Sequence, residues 1–200
     1  MEQLVEKYYT YADILSWDED VRAEIIDGEL YMMAPPSRIH QEISGALFAQ
    51  IYNFLSDKPC KVYHAPFGVR PLEQDGDTPN KVDTLVEPDI AVVCDQSKLD
   101  DRGCKGAPDL IIEILSPSTA RHDRFVKLNL YNRAKVREYW IVDPFNYTVE
   151  VLLPDESGRL MVSAVYSREH KAIVNVLPGC EIDLTAVFPE MEEYKNYKKI

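Results

Sequence analysis

The chain has 200 residues, 46% of them hydrophobic and 28% charged, with a formal net charge of −12. That length and balance fit one globular domain with its own core and exclude a disordered or low-complexity chain. The negative charge opposes binding to a phosphate backbone and leaves only local basic patches for that purpose.

In chain order, Thr10-Tyr11-Ala12-Asp13 reads as a capping box with Asp in place of Glu, opening a short helix to about Trp17. Ala23-Glu24-Ile25-Ile26 and Glu29-Leu30-Tyr31-Met32-Met33 flank Asp27-Gly28, a two-residue turn signal, and predict a hairpin. Pro35-Pro36 stops the second strand. Ser37 can cap a helix over 39–55, where Ile43, Ala46, Leu47, Ile51 and Phe54 recur three or four apart. Short strands are expected at 60–63 and 67–70, a polar loop at 74–82, a strand over 85–93 and a charged loop over 95–106. Leu110-Ile111-Ile112-Glu113-Ile114-Leu115 suits a buried central strand. Ser116-Pro117-Ser118-Thr119 then stops the strand and caps a helix reaching about Ala134. Glu138-Tyr139-Trp140-Ile141-Val142-Asp143 is the next strand, and 147–153 with 160–166 form a final antiparallel pair. The tail after Asp183 is expected to hold a short helix and a charged end.

This order predicts an α/β fold: a mixed α+β sheet flanked by helices, with extra antiparallel strands. It is read as a single domain over 1–200 with its core at about 20–166. Cys60, Cys94, Cys104 and Cys180 lie at wide, irregular gaps without zinc-finger spacing, and read as reduced thiols. Met1-Glu2-Gln3-Leu4 lacks a signal-peptide pattern, and no run approaches the roughly 20 apolar residues of a membrane span. A cytoplasmic protein that does not enter a membrane is expected.

Three residues stand out chemically. Glu113 interrupts an otherwise apolar run, and a carboxylate buried there costs several kcal/mol, roughly, unless it is paired or binds a metal. Asp89 begins the run Ile90-Ala91-Val92-Val93, and two carboxylates from neighbouring strands can share one Mg²⁺ or Mn²⁺. Such a cation polarises a phosphate and acidifies a bound water. Lys127 follows on the next helix, where Asp123, Lys127 and Tyr131 stand at i, i+4 and i+8. It reads either as the surface partner of Asp123 or as the group that steadies charge on the phosphate. His40 and Glu42 are accessory candidates at the start of the long helix. His64, His122 and His170 lack partners at metal-ligand spacing. Arg121, Arg124, Lys127, Arg133, Lys135 and Arg137 form a basic segment that is either a phosphate patch or a solvated helix face.

Pro88-Asp89-Ile90, then Glu113-Ile114-Leu115-Ser116-Pro117-Ser118-Thr119, then Asp123, Lys127 and Tyr131, then Glu138-Tyr139-Trp140-Ile141-Val142-Asp143-Pro144 resemble the Uma-type bacterial restriction endonuclease family. Glu24-Ile25-Ile26-Asp27-Gly28-Glu29-Leu30 and Pro35-Pro36-Ser37 with His40 belong to the same pattern, which covers roughly residues 10 to 190. The resemblance implies the PD-(D/E)XK nuclease superfamily and a restriction-endonuclease-like core. Asp89 would match the superfamily aspartate and Glu113 the second acid. The superfamily lysine stands two residues after that acid, where this chain has Leu115, so Lys127 would substitute from a displaced position. The expected function is a Mg²⁺-dependent endonuclease acting on DNA. The alternatives are a nuclease-like scaffold that binds nucleic acid or a protein partner without catalysis, and a hydrolase of a smaller phosphate ester. A homodimer is expected, since two symmetric sites suit the two strands of a duplex.

Overall fold

The computed structural model describes residues 7–18 and 21–189. In chain order the elements are helix α1 (Tyr11–Ile14), the hairpin β1 (Ala23–Ile26) and β2 (Glu29–Met32), helix α2 (Arg38–Phe54), and strands β3 (Lys61–His64), β4 (Val69–Arg70) and β5 (Ile90–Val93). A 3-10 turn at Gln96–Lys98 leads into β6 (Leu99–Asp100), β7 (Gly103–Lys105) and β8 (Leu110–Ile114). A π-helical segment, His122–Lys127, runs on into α3 (Leu128–Ala134). Strands β9 (Glu138–Asp143), β10 (Thr148–Pro154), β11 (Leu160–Ser167), β12 (Lys171–Val174) and β13 (Cys180–Asp183) complete the order.

Local chemistry explains most of these boundaries. The Thr10 N–H and hydroxyl both donate to Asp13 Oδ2, at 2.9 and 3.1 Å, which closes the capping box of α1. Asp27 and Gly28 take φ of 52° and 80° between β1 and β2, the left-handed pair that a tight hairpin needs. A Cβ on Gly28 would sit 2.2 Å from the Tyr8 ring, so packing excludes a side chain there as well. The Ser37 hydroxyl accepts from His40 N at 3.2 Å and caps α2. Ile43, Leu47 and Ile51 form its wholly buried stripe. Each stabilises the fold by about 1.5–3 kcal/mol through removal from water.

The main sheet has six strands in the order β11-β10-β9-β8-β5-β3. The β8–β9 pair is parallel and the other neighbours are antiparallel. A parallel pair needs a crossover, and the π-helical segment with α3 supplies it. Side chains alternate between two cores. Ile90, Val92, Leu110, Ile112, Ile114, Trp140 and Val142 pack on the α2 side. Ala91, Val93, Ile111, Tyr139 and Ile141 pack on the α3 side, with Leu130 and Tyr131. The two-residue period therefore directs Glu113 to the α3 side, and Asp89 stands just before β5, at the end of the sheet.

Four expectations need correction. The 95–106 segment is not a plain loop: β7 pairs with both β4 and β6. Gly103 makes this possible, since a Cβ there would lie 1.9 Å from the Gly68 carbonyl oxygen. The interior also continues past residue 166, because Ala172, Val174, Ile182, Leu184, Val187 and Phe188 are buried in the α2-side core. Cys60 and Cys94 are not reduced thiols but form a disulfide, while Cys104 and Cys180 are free and buried. Lys61 pairs with Val93 across β3 and β5, so Cys60 and Cys94 are the next residues along two adjacent strands. Their separation of 34 residues hides that proximity. Finally, no helix follows Asp183 within 184–189, where 184–187 form a turn, and the rest of the tail, with any helix and the charged end, lies outside the described residues. Among the described residues, no helix is long and apolar enough to cross a membrane.

Candidate active site

The register of β5 against β8 sets Ile90 opposite Ile112. One step further along brings Asp89 beside Glu113. The Ile114 N–H donates to Asp89 Oδ2 at 2.7 Å, tying the aspartate to the end of β8. His40, one turn into α2, approaches the same oxygen with Nε2 at 3.1 Å. The Ser37 cap thus fixes the helix end that delivers His40.

Glu113 meets the crossover segment. Lys127 donates to Glu113 Oε1 at 2.9 Å, and the Tyr131 hydroxyl donates to it at 2.6 Å. Lys127 Nζ also lies 2.9 Å from Glu24 Oε1 and 3.9 Å from Asp123 Oδ1. The π-helical widening falls on the segment carrying Asp123 and Lys127, and such widened turns recur at functional sites. Glu24, Glu113, Asp123 and Lys127 are all at most 4% exposed. The Asp123 carbonyl accepts from the Tyr139 hydroxyl at 3.1 Å.

One cation therefore serves three buried carboxylates, with Asp89 close by. Burial drives the Glu113 carboxyl well above its ordinary value, against the pull of Lys127, and the charges of Asp123, Asp89 and Glu24 push the same way. Burial likewise pushes Asp123 up to about 6 despite Lys127. Burial opposes the Lys127 charge, yet Glu113, Glu24 and Asp123 outweigh it and hold the ammonium above its usual range. Burial and Lys127 hold the His122 imidazole below its ordinary value. The buried His40 Nδ1 and His122 Nε2 have no hydrogen-bond partner among the described residues.

These groups form the floor of a cleft of about 810 Å³. The set fits a hard divalent cation. Asp89 and Glu113 are adjacent oxygen donors, and their surroundings hold more negative charge than Lys127 neutralises. Among the described residues no three His, Cys, Asp or Glu side chains make a ready-made metal cage. Mg²⁺ commonly takes only one or two carboxylates, with water and substrate phosphate completing its shell.

Of the residues singled out by sequence, Asp89, Glu113, Asp123, Lys127 and His40 all line this cleft. Glu42 does not: it is exposed and pairs with Arg38 on the outer side of α2. The helical period that buries Ile43 and Leu47 turns it to solvent. Glu24 was missed, although an acid within the four-residue strand Ala23-Glu24-Ile25-Ile26, buried throughout, carries the same signal as Glu113. It also accepts from Glu87 N at 2.9 Å. His122 was set aside for lack of ligand spacing, yet its Nε2 lies 3.8 Å from Glu24 Oε2 and its ring 4.4 Å from Tyr31. Four of the six residues of the basic segment are paired, Lys127 in the cleft, Arg124 with Glu150, Arg133 with Asp27 and Arg137 with Asp109, while Arg121 and Lys135 are exposed.

Two relatives from Synechocystis sp. are uncharacterized proteins. The one designated slr1290 is 26% identical over 153 residues, covering 75% of this chain and 76% of its own. The one designated sll1609 is 26% identical over 149 residues, covering 72% and 80%. A crystal structure of a putative nuclease belonging to DUF820 from Anabaena variabilis superposes with a TM-score of 0.69 at 18% identity. That match covers 90% of this chain and 97% of the other, and it shows a shared fold. The family model Uma2, described as "Putative restriction endonuclease", matches residues 5–185, and the chain belongs to that family.

Proposed function

We propose that this protein is a divalent-metal-dependent nuclease that hydrolyses phosphodiester bonds in DNA. The observation that carries the reading is the meeting of two carboxylates from adjacent strands with a buried lysine 2.9 Å from one of them. Membership of a family described as restriction endonucleases supports it.

Asp89 and Glu113 would hold the cation. When bound, Mg²⁺ or Mn²⁺ supplies Lewis-acid polarisation of the phosphate and a water acidic enough to attack. The chain's own groups do the rest. His40 and the Ile114 N–H fix Asp89 through one oxygen, Oδ2. Tyr131 and Lys127 fix Glu113 through Oε1. Lys127 is kept charged by Glu113 and Glu24, and its ammonium can face the charge that develops on the phosphate. In the reaction the water oxygen bonds phosphorus and releases a proton, the bond to one sugar oxygen breaks, and that oxygen gains a proton.

One feature favours the non-catalytic alternative: Lys127 shares its ammonium among three acids, and Leu115 occupies the superfamily lysine position. Cleavage of single-stranded circular DNA or of plasmid in Mg²⁺ or Mn²⁺ separates the two readings. Wild type should cut, while Asp89→Ala and Glu113→Ala should lose at least about a hundredfold in rate, the scale of removing one electrostatic stabiliser. Equal cleavage by all three would sink the assignment.

A further inference from the structure

We infer that the cleft takes a single nucleic-acid strand, one phosphodiester with a neighbouring unpaired base, rather than a duplex. The inference rests on the nuclease reading and names the substrate class of the same site.

Charge is the first observation. Five carboxylates and two formal cations line the cleft. Both cations are engaged, Arg22 with Glu87 and Lys127 with Glu24 and Glu113. The basic run beyond the cleft gives Arg124, Arg133 and Arg137 to Glu150, Asp27 and Asp109. A surface that grips a duplex neutralises many phosphates with lysine and arginine. Among the described residues lining this cleft, no lysine or arginine is without a carboxylate partner. With a cation held by Asp89 and Glu113, phosphate would be engaged at that end of the cleft, one group at a time.

The walls are the second observation. Met32, 66% exposed, and Phe145, 48% exposed, both line the cleft. Met33, Pro35, Pro117 and Pro144 continue the apolar lining. Exposed apolar side chains gathered around a concave, partly polar floor mark a binding site. An unpaired base offers such walls a flat apolar face, whereas a duplex keeps its bases stacked inside and presents sugar and phosphate. The volume of about 810 Å³ is that of a small-ligand pocket.

The test uses one short fluorescein-labelled DNA strand, alone and annealed to its complement. Cleavage is read with Mn²⁺, and binding by anisotropy with Ca²⁺ in its place. The single strand should be cut at least about tenfold faster, the scale set by stacking one base. Its Kd should rise only about threefold between 50 and 200 mM salt, as one neutralised phosphate requires. Met32→Ser and Phe145→Ser should each weaken binding of the strand about tenfold and leave Mn²⁺ affinity unchanged. Duplex cut as fast as the strand, or a Kd that rises about a thousandfold over that salt range, overturns the inference. If that duplex cleavage disappears in Asp89→Ala, the inference fails and the nuclease reading stands. Neither form bound nor cut overturns both.

Discussion

Glu113 stands among apolar neighbours in β8, and Lys127 is what makes that placement tolerable. Replacing Lys127 with Met leaves Glu24 and Glu113 buried without a counter-charge. The expected cost is about 3–5 kcal/mol, read as a lower urea midpoint. The loss should be smaller at pH 5 than at pH 8, because burial already favours the protonated form of Glu113. Proton linkage gives a second prediction. Asp123 is pushed up to about 6, while its ordinary value is 3.8. Its folded form therefore keeps a proton that the unfolded chain releases, and the metal-free protein loses stability as pH rises from about 4 through about 6. A cation at Asp89 and Glu113 competes with the proton that burial favours on Glu113. The stabilisation by Mn²⁺, read as a rise in melting temperature, should thus be larger at pH 8 than at pH 5, and corresponds to about 2.7 kcal/mol at a hundredfold excess over Kd. A rise that shrinks with pH would contradict this. At this scale the sequence was readable where the cost of burial was visible. Glu113 declared itself by its apolar run and Lys127 by its spacing from Asp123 and Tyr131. Glu24 was overlooked because one acid in a four-residue hairpin strand does not stand out as Glu113 does in its longer apolar run, although all four residues of β1 are buried.

At the scale of elements, the site depends on how α2 and the crossover segment dock on opposite faces of one sheet. Leu47→Ala removes a fully buried side chain from the α2 stripe and should cost about 2–5 kcal/mol. Ser37→Ala should cost only about 1 kcal/mol by the loss of the cap. Because that cap fixes the turn bearing His40, it should also lower activity more than its small effect on the urea midpoint implies. A loss of activity in Leu47→Ala alone, with Ser37→Ala fully active, would argue that His40 positioning is unimportant. Hydrophobic period fixed α2, β8 and β9 in advance, since each is long or uniformly apolar. The β12–β13 hairpin escaped because its strands have four residues each and only half of those positions are buried. The disulfide escaped because strand pairing, which sequence spacing does not report, brings Cys60 to Cys94.

At the scale of the whole molecule, the net charge of −12 and the neutralised arginines describe a protein that does not attract long polyanions. The proposed reading has the buried carboxylates beneath the cleft take a small, hard cation. These are compatible if phosphate is engaged at one point and the apolar walls hold the base. The central claim is that Asp89 and Glu113 share a catalytic metal ion, and a crystal soaked in Mn²⁺ and examined by anomalous scattering tests it most directly. The account predicts one ion bonded to oxygens of both residues, with the Lys127 ammonium beside it. An ion bound elsewhere in the cleft, or no ion from a protein that cuts DNA in the same buffer, would contradict it.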